Sequence, residues 1–133
     1  MRNCACAILL KNQHLLLGKR APHRKAYPGR WDVIGGRVED GEGLDDALVR
    51  ELKEEIGVTP VVWENICTLF DERPEAQGPA AYHLFAVRAW TGGEPTIVNQ
   101  EQSELRWFTA REACALGDPA LDDYRSVFGM IRF

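Results

Sequence analysis

The sequence predicts an α/β chain folded as an α/β/α sandwich around a mixed β-sheet, and three observations point there. Strand-like apolar runs are interspersed with amphipathic helical stretches along the chain. The connections are of both hairpin and crossover length, which a sheet with parallel and antiparallel neighbours accommodates. The 133 residues, 45% hydrophobic and 27% charged, suit one domain spanning 1–133 and leave no room for a second of ordinary size.

Taken in order, residues 3–17 read as two short strands joined by a polar turn at 11–14, with a helix as the alternative. Pro22, Pro28 and Gly29 break the loop that follows, and residues 31–38 form a strand interrupted by Gly35 and Gly36. Asp40 and Gly41 supply a turn. Residues 43–56 are rich in helix formers, carry Asp45 and Asp46 where the helix dipole favours anions, and stop at Gly57. Residues 58–70 are β-branched and aromatic, 72–79 form a polar loop, and 80–90 alternate as a strand. A final strand covers 105–108, and Thr109 with Glu112 caps a short helix. Asp118 and Pro119 open a last helix that buries Leu121, Tyr124, Val127, Phe128 and Ile131.

Composition removes several classes of function. No run of about 18 apolar residues occurs and the first ten residues lack a signal-peptide layout, so a soluble cytoplasmic protein without membrane partners is expected. Cys4, Cys6, Cys67 and Cys114 form neither a C-x-x-C pair nor a Cys/His cluster. A net charge of -4 argues against a nucleic-acid polymer as partner. That total hides a segregation. Lys19, Arg20, Arg24, Lys25 and Arg30 precede Trp31 without an intervening acid, whereas residues 39–55 hold eight acids against Arg50 and Lys53. Solvated surface charge is one reading. The other is a site where cations hold an anionic substrate and carboxylates hold a metal.

The helix sharpens the second reading. Leu44, Ala47, Leu48 and Leu52 recur at helical spacing and build the buried stripe, on which Glu51 also falls, while Glu54 and Glu55 lie three and four positions further on. Like charges at that spacing repel and lose hydration near a core, so their pKa values rise or a cation joins them. Ligation by oxygen alone favours a hard ion, Mg²⁺ first, with Mn²⁺ able to substitute. A surface helix with an Arg50–Glu54 pair is the bland alternative.

The longer string decides between them. Gly36, five residues, Glu42, seven residues and then Arg50-Glu51-Leu52-Lys53-Glu54-Glu55-Ile56-Gly57-Val58 resembles the Nudix box at all nine specified positions, 36–58. Most of the chain is similar to MutT-like Nudix domains. The resemblance implies the Nudix sandwich and Mg²⁺-dependent hydrolysis of a nucleoside diphosphate linked to another group. It implies a metal held by Glu51, Glu54, Glu55 and the Gly35 carbonyl, with Arg50 orienting the carboxylates and Glu42 holding the loop. It implies a general base that is Glu51 or a carboxylate outside the box; Glu101 matches that outside position, which also reaches the metal, with Glu104 its rival. Arg20 matches an arginine that approaches substrate phosphate. Asp122 and Asp123 match positions that read a purine edge in some relatives, with a charge pair at a helix start as the alternative. Tyr27, Trp31, Phe70, Tyr82 and Phe85 are candidates for stacking on a base.

The function these features imply is conversion of a nucleoside triphosphate, including an oxidised one such as 8-oxo-dGTP, to the monophosphate and pyrophosphate. Hydrolysis of ADP-ribose or a nucleotide sugar is the alternative, as is a non-catalytic nucleotide sensor. The partner is a nucleotide-type small molecule, and the oligomeric state, monomer or homodimer, stays open.

Overall fold

The computed structural model describes residues 1–133. Strands β1 (Arg2–Lys11) and β2 (His14–Arg20) form the expected hairpin, turning through Asn12 and Gln13 at φ values of 52° and 65°, as a two-residue type I′ turn requires. Only Leu10↔Leu15 and Lys11↔His14 pair across it. Beyond them the strands diverge, and the fold follows from what fills the two sides.

β1 pairs in parallel with β6 (Ala80–Thr91), which pairs antiparallel with the edge strand β5 (Thr59–Asp71). β2 pairs antiparallel with β7 (Gln102–Thr109). The near-continuous apolar run of β1 is explained by burial on both faces. Cys4, Cys6, Ile8 and Leu10 enter one core cluster while Ala5, Ala7 and Leu9 enter the other. Helix α1 (Leu44–Ile56) covers the second face with Ala47, Leu48, Leu52 and Ile56. Gly57 ends it at φ 71°, donating its N–H to the Lys53 carbonyl, the left-handed cap that glycine adopts at least cost. The opposite face is covered by α2 (Ala110–Cys114), whose capping box of Thr109 and Glu112 forms as expected, and by α3 (Tyr124–Met130). A mixed sheet with helices on both sides is therefore observed. No helix is long and apolar enough to cross a membrane.

Three expectations need correction. The strand expected over 31–38 is two strands, β3 (Trp31–Asp32) on β2 and β4 (Ile34–Arg37) on β1. Because β1 and β2 part beyond the hairpin, no single strand can pair with both, and the chain changes partner at Val33. The final strand begins at Gln102 rather than 105, following β2 back to Arg20. The last helix begins at Tyr124, not at Pro119, and Ile131 is already extended. Trp31 N–H donates to the Asp118 carbonyl (3.0 Å) and Ala120 N–H to the Trp31 carbonyl (2.7 Å), which holds 118–120 as a rung beside β3. These non-local bonds override the helix-start signal.

Candidate active site

The site starts from two glycines in β4. A Cβ on Gly35 would lie 2.0 Å from the Ala5 carbonyl oxygen, so this residue permits the close β1–β4 pairing. A Cβ on Gly36 would lie 2.6 Å from the carboxyl group of Glu51. The bare backbone at Gly36 is thus the space in which that carboxylate rests, which ties the strand end of the box to its helix.

Arg50 then fixes the carboxylates. Its Nε and Nη2 donate to the two Glu42 oxygens (2.8 and 2.9 Å), its Nη1 to Glu51 (2.9 Å) and Glu54 (3.2 Å), and Nη2 also to the Arg37 carbonyl (3.0 Å). All five N–H groups of the guanidinium have an acceptor. The fork to Glu42 lowers the Glu42 pKa to about 2, and Glu42 also accepts the Glu39 N–H. Glu42 holds the loop, and Arg50 positions Glu51 without itself lining the cavity that Glu51 faces.

Glu55 is the least solvated acid in the protein, at 0% exposure. Gln102 Nε2 donates to its Oε1 (2.9 Å), whereas Glu55 Oε2 and Gln102 Oε1 are buried acceptors with no donor. Burial, helped by the neighbouring Glu51 and Glu101 charges, pushes the Glu55 pKa up to about 9 against the bond from Gln102. Burial also raises Glu51, while its bond from Arg50 opposes the rise. Orphaned buried oxygens beside further carboxylates are costly unless a proton or a cation joins them. The donors are all oxygen, which fits a hard divalent ion. As placed, no three acidic, histidine or cysteine side chains form a ready cage. Mg²⁺ is content with such a site, because it retains waters and takes further oxygens from substrate phosphates.

In front of these groups lies a cavity of about 340 Å³. Of the residues expected at the site, Gly35, Glu51, Glu101 and Arg20 line it. Glu55 sits behind Gln102, which does line it. Glu54 lies outside, with its side chain 55% exposed against Arg50. Asp122 and Asp123 lie outside too, paired with Arg125 (2.8 Å) and Arg73 (3.1 Å), the charge-pair alternative rather than the base-reading one. The rival Glu104 is bound to Arg106 (2.6 Å) and lies outside as well.

Arg20 is tied by its Nε to the Ala26 carbonyl (2.6 Å) and by Nη1 to Asp32 (3.0 Å), leaving Nη2 without a protein partner. Among the aromatic candidates, Tyr27 and Tyr82 line the cavity, Trp31 and Phe85 are core residues, and Phe70 is exposed elsewhere. Sequence reasoning missed Asp32, Arg37, Gln102 and Tyr124. Asp32 accepts the Tyr124 hydroxyl (2.6 Å) and the Arg20 guanidinium at the cavity wall. An acid between Trp31 and Val33, in an otherwise apolar strand beside the glycine pair, was the available signal.

The sequence model of the NUDIX domain matches residues 1–128. The chain belongs to the Nudix family. Nucleoside triphosphatase NudI of Salmonella agona is 41% identical over 122 residues, spanning 84% of each chain. A MutT NUDIX hydrolase from Burkholderia pseudomallei superposes with a TM-score of 0.85 at 23% identity, over 98% of both chains. A MutT protein from Methanosarcina mazei does so at 0.84 and 21%, over 96% of this chain and 90% of that one. At such identities the two structures establish the fold, a Nudix α/β/α sandwich. The Nudix box is the unit from Gly36 through α1 to Val58, and Nudix hydrolases generally need a divalent metal.

Proposed function

We propose that this Nudix hydrolase cleaves a nucleoside triphosphate to the monophosphate and pyrophosphate, using Mg²⁺ held by Glu51, Glu55, Glu101 and the Gly35 carbonyl, joined by Glu54 once its exposed side chain turns from Arg50. The observation that carries the proposal is one cavity lined by Arg20, Arg24 and Arg37 together with Glu51 and Glu101, backed by the unpaired buried oxygen of Glu55. Cations for an anionic chain and carboxylates for a hard ion share one space. The name of the 41% identical relative, nucleoside triphosphatase, supports the substrate class.

When bound, the divalent ion supplies charge neutralisation at the phosphate and a lowered pKa for the attacking water. The protein does the rest. Glu51 accepts the water proton, and Arg50 with Gly36 fixes where its carboxylate rests. Glu101, on the cavity wall, is the second candidate for that role. Arg20, braced by Asp32, offers its unpaired Nη2 to a phosphate oxygen. Tyr82, partly exposed on the wall of the same cavity, offers ring surface to the nucleoside. Asp122 and Asp123 take no part, being outside the cavity and already paired.

The test is a panel of canonical and oxidised (d)NTPs, ADP-ribose and nucleotide sugars, incubated with Mg²⁺ and resolved by anion-exchange chromatography. Monophosphate with pyrophosphate is the expected product pair. A sugar phosphate without pyrophosphate moves the substrate class to the sugar-linked diphosphates, and binding without turnover makes the protein a sensor.

A further inference from the structure

Beside the catalytic cavity runs an open groove of about 600 Å³, lined by His23, Arg24, Lys25, Asn99, Gln100 and Glu101, without one hydrophobic residue. Arg24 and Glu101 line both spaces and so form the wall between them. We infer that this groove receives the pyrophosphate end of the substrate, and that Arg24 passes from Glu101 to those phosphates as Glu101 turns to the metal. The inference rests on the triphosphate reading above and names a phosphate-binding residue within it.

The wall is held in a manner suited to exchange. Arg24 Nη1 donates to Glu101 Oε2 (3.2 Å) and to the Glu101 carbonyl (3.3 Å). The two side chains are 26% and 42% exposed, so their pair is screened by water and worth little. The backbone beneath is fixed. Ala21 N–H donates to the Glu101 carbonyl (2.9 Å), Arg24 N–H to the Ala21 carbonyl (3.1 Å), and Glu101 N–H to Asn99 Oδ1 (3.1 Å). The basic loop and the start of β7 are therefore stitched together whichever partner Arg24 holds. Only the side chain has to turn.

Charge and chemistry set the direction. Glu101 is the one acid in the groove, and while it holds Arg24 it cancels one of the two formal cations there. A divalent ion competes for that carboxylate and releases the guanidinium. A planar fork of donors then matches two phosphate oxygens better than it matches one carboxylate oxygen. Rings and apolar surface lie in the cavity and not in the groove, so the nucleoside end has no surface to stack on beside Arg24. The distal phosphates do have partners there.

The experiment uses Mn²⁺ as the metal probe, its free fraction followed by EPR in wild type, Arg24→Ala and Glu101→Gln. Calorimetry of pyrophosphate and of a nucleoside monophosphate binding to the Mn²⁺-loaded proteins completes it. Without its competitor at Glu101, Arg24→Ala should bind Mn²⁺ roughly two- to fivefold more tightly, the scale of an exposed ion pair. Its affinity for pyrophosphate should fall about tenfold, the scale of a charge-assisted hydrogen bond, while that for the monophosphate stays unchanged. Arg24→Lys should recover part of the pyrophosphate affinity. Unchanged pyrophosphate binding in Arg24→Ala overturns the groove assignment, and unchanged or weaker Mn²⁺ binding overturns the exchange. If Glu101→Gln binds Mn²⁺ as wild type does, Glu101 is no metal ligand and the exchange fails with it, while the pyrophosphate result still decides the groove.

Discussion

Replacing Glu55 by glutamine should stabilise the metal-free protein, although it deletes a carboxylate of the proposed metal site. Glu55 is fully buried, and its pKa is pushed from 4.5 up to about 9. Folding therefore takes up a proton at this residue between those two pH values, since the unfolded chain ionises it and the folded chain does not. A raised carboxyl pKa makes the native state bind more protons than the unfolded state, so stability falls as pH rises across that window. At pH 7.5, about three units above the unfolded value, the penalty approaches about 4 kcal/mol at ~1.36 kcal/mol per unit. At pH 5 it is about 1 kcal/mol. Glutamine carries no such penalty and retains an oxygen to accept from Gln102 Nε2. Urea denaturation with EDTA at both pH values measures the difference directly. Glu55→Gln should be the more stable protein at pH 7.5 by up to about 4 kcal/mol, with the advantage shrinking toward pH 5. Adding Mg²⁺ should stabilise wild type with release of a proton and leave the variant unmoved. A variant less stable at both pH values, or one with the wild-type pH slope, would refute the reasoning.

Three further substitutions probe the supports of the site. Gly36→Ala places a Cβ 2.6 Å from the Glu51 carboxyl group and should lower kcat about 100-fold by displacing it. Its urea midpoint should change little, because the displaced atoms are the end of a flexible side chain. Arg50→Lys cannot reproduce the fork to Glu42 and should lower kcat about tenfold or more with a smaller effect on KM. In the same variant acid unfolding should begin at higher pH: the stabilisation that the depressed Glu42 pKa supplies is present above 4.5 and lost on falling through about 2 in wild type. Tyr27→Phe removes the hydroxyl that donates to the buried Asp71 (2.6 Å) and should cost about 1–3 kcal/mol in urea denaturation. Because Tyr27 anchors the basic loop, KM should rise as well.

Most of the catalytic half of the fold was legible in the sequence because it is built from local patterns. The stripe of Ala47, Leu48, Leu52 and Ile56, the acids at the helix start and the stop at Gly57 are all written within one helix, and the helix forms over Leu44–Ile56. Like-charge crowding of Glu51, Glu54 and Glu55 was readable from spacing alone; Glu55 is buried where the Glu51 charge reaches it, whereas Glu54 turns outward to Arg50. The unread parts depend on partners far along the chain. Trp31 reaches Asp118 and Ala120, and that contact, invisible to propensity, delays α3 to Tyr124. Gln102 became the neighbour of Glu55 only when β7 extended along β2, 47 residues away in sequence. Asp32 acquired its place by meeting Arg20 and Tyr124 across the cavity. Asp123 looked available for recognition because nothing nearby in sequence announced Arg73 as a partner, whereas the partner of Asp122, Arg125, stands three residues on.

The central claim, a hydrolase that splits nucleoside triphosphates into monophosphate and pyrophosphate with a metal that depends on a buried carboxylate bearing one unpaired oxygen, is tested most directly by one product-resolved assay. The preferred nucleoside triphosphate is incubated with Mg²⁺ and either wild type or Glu55→Gln, with folding of both proteins verified by their urea transitions. The account predicts equal amounts of monophosphate and pyrophosphate from wild type and no metal-dependent turnover from the variant. Full turnover by Glu55→Gln, or release of orthophosphate with a nucleoside diphosphate by wild type, would contradict it.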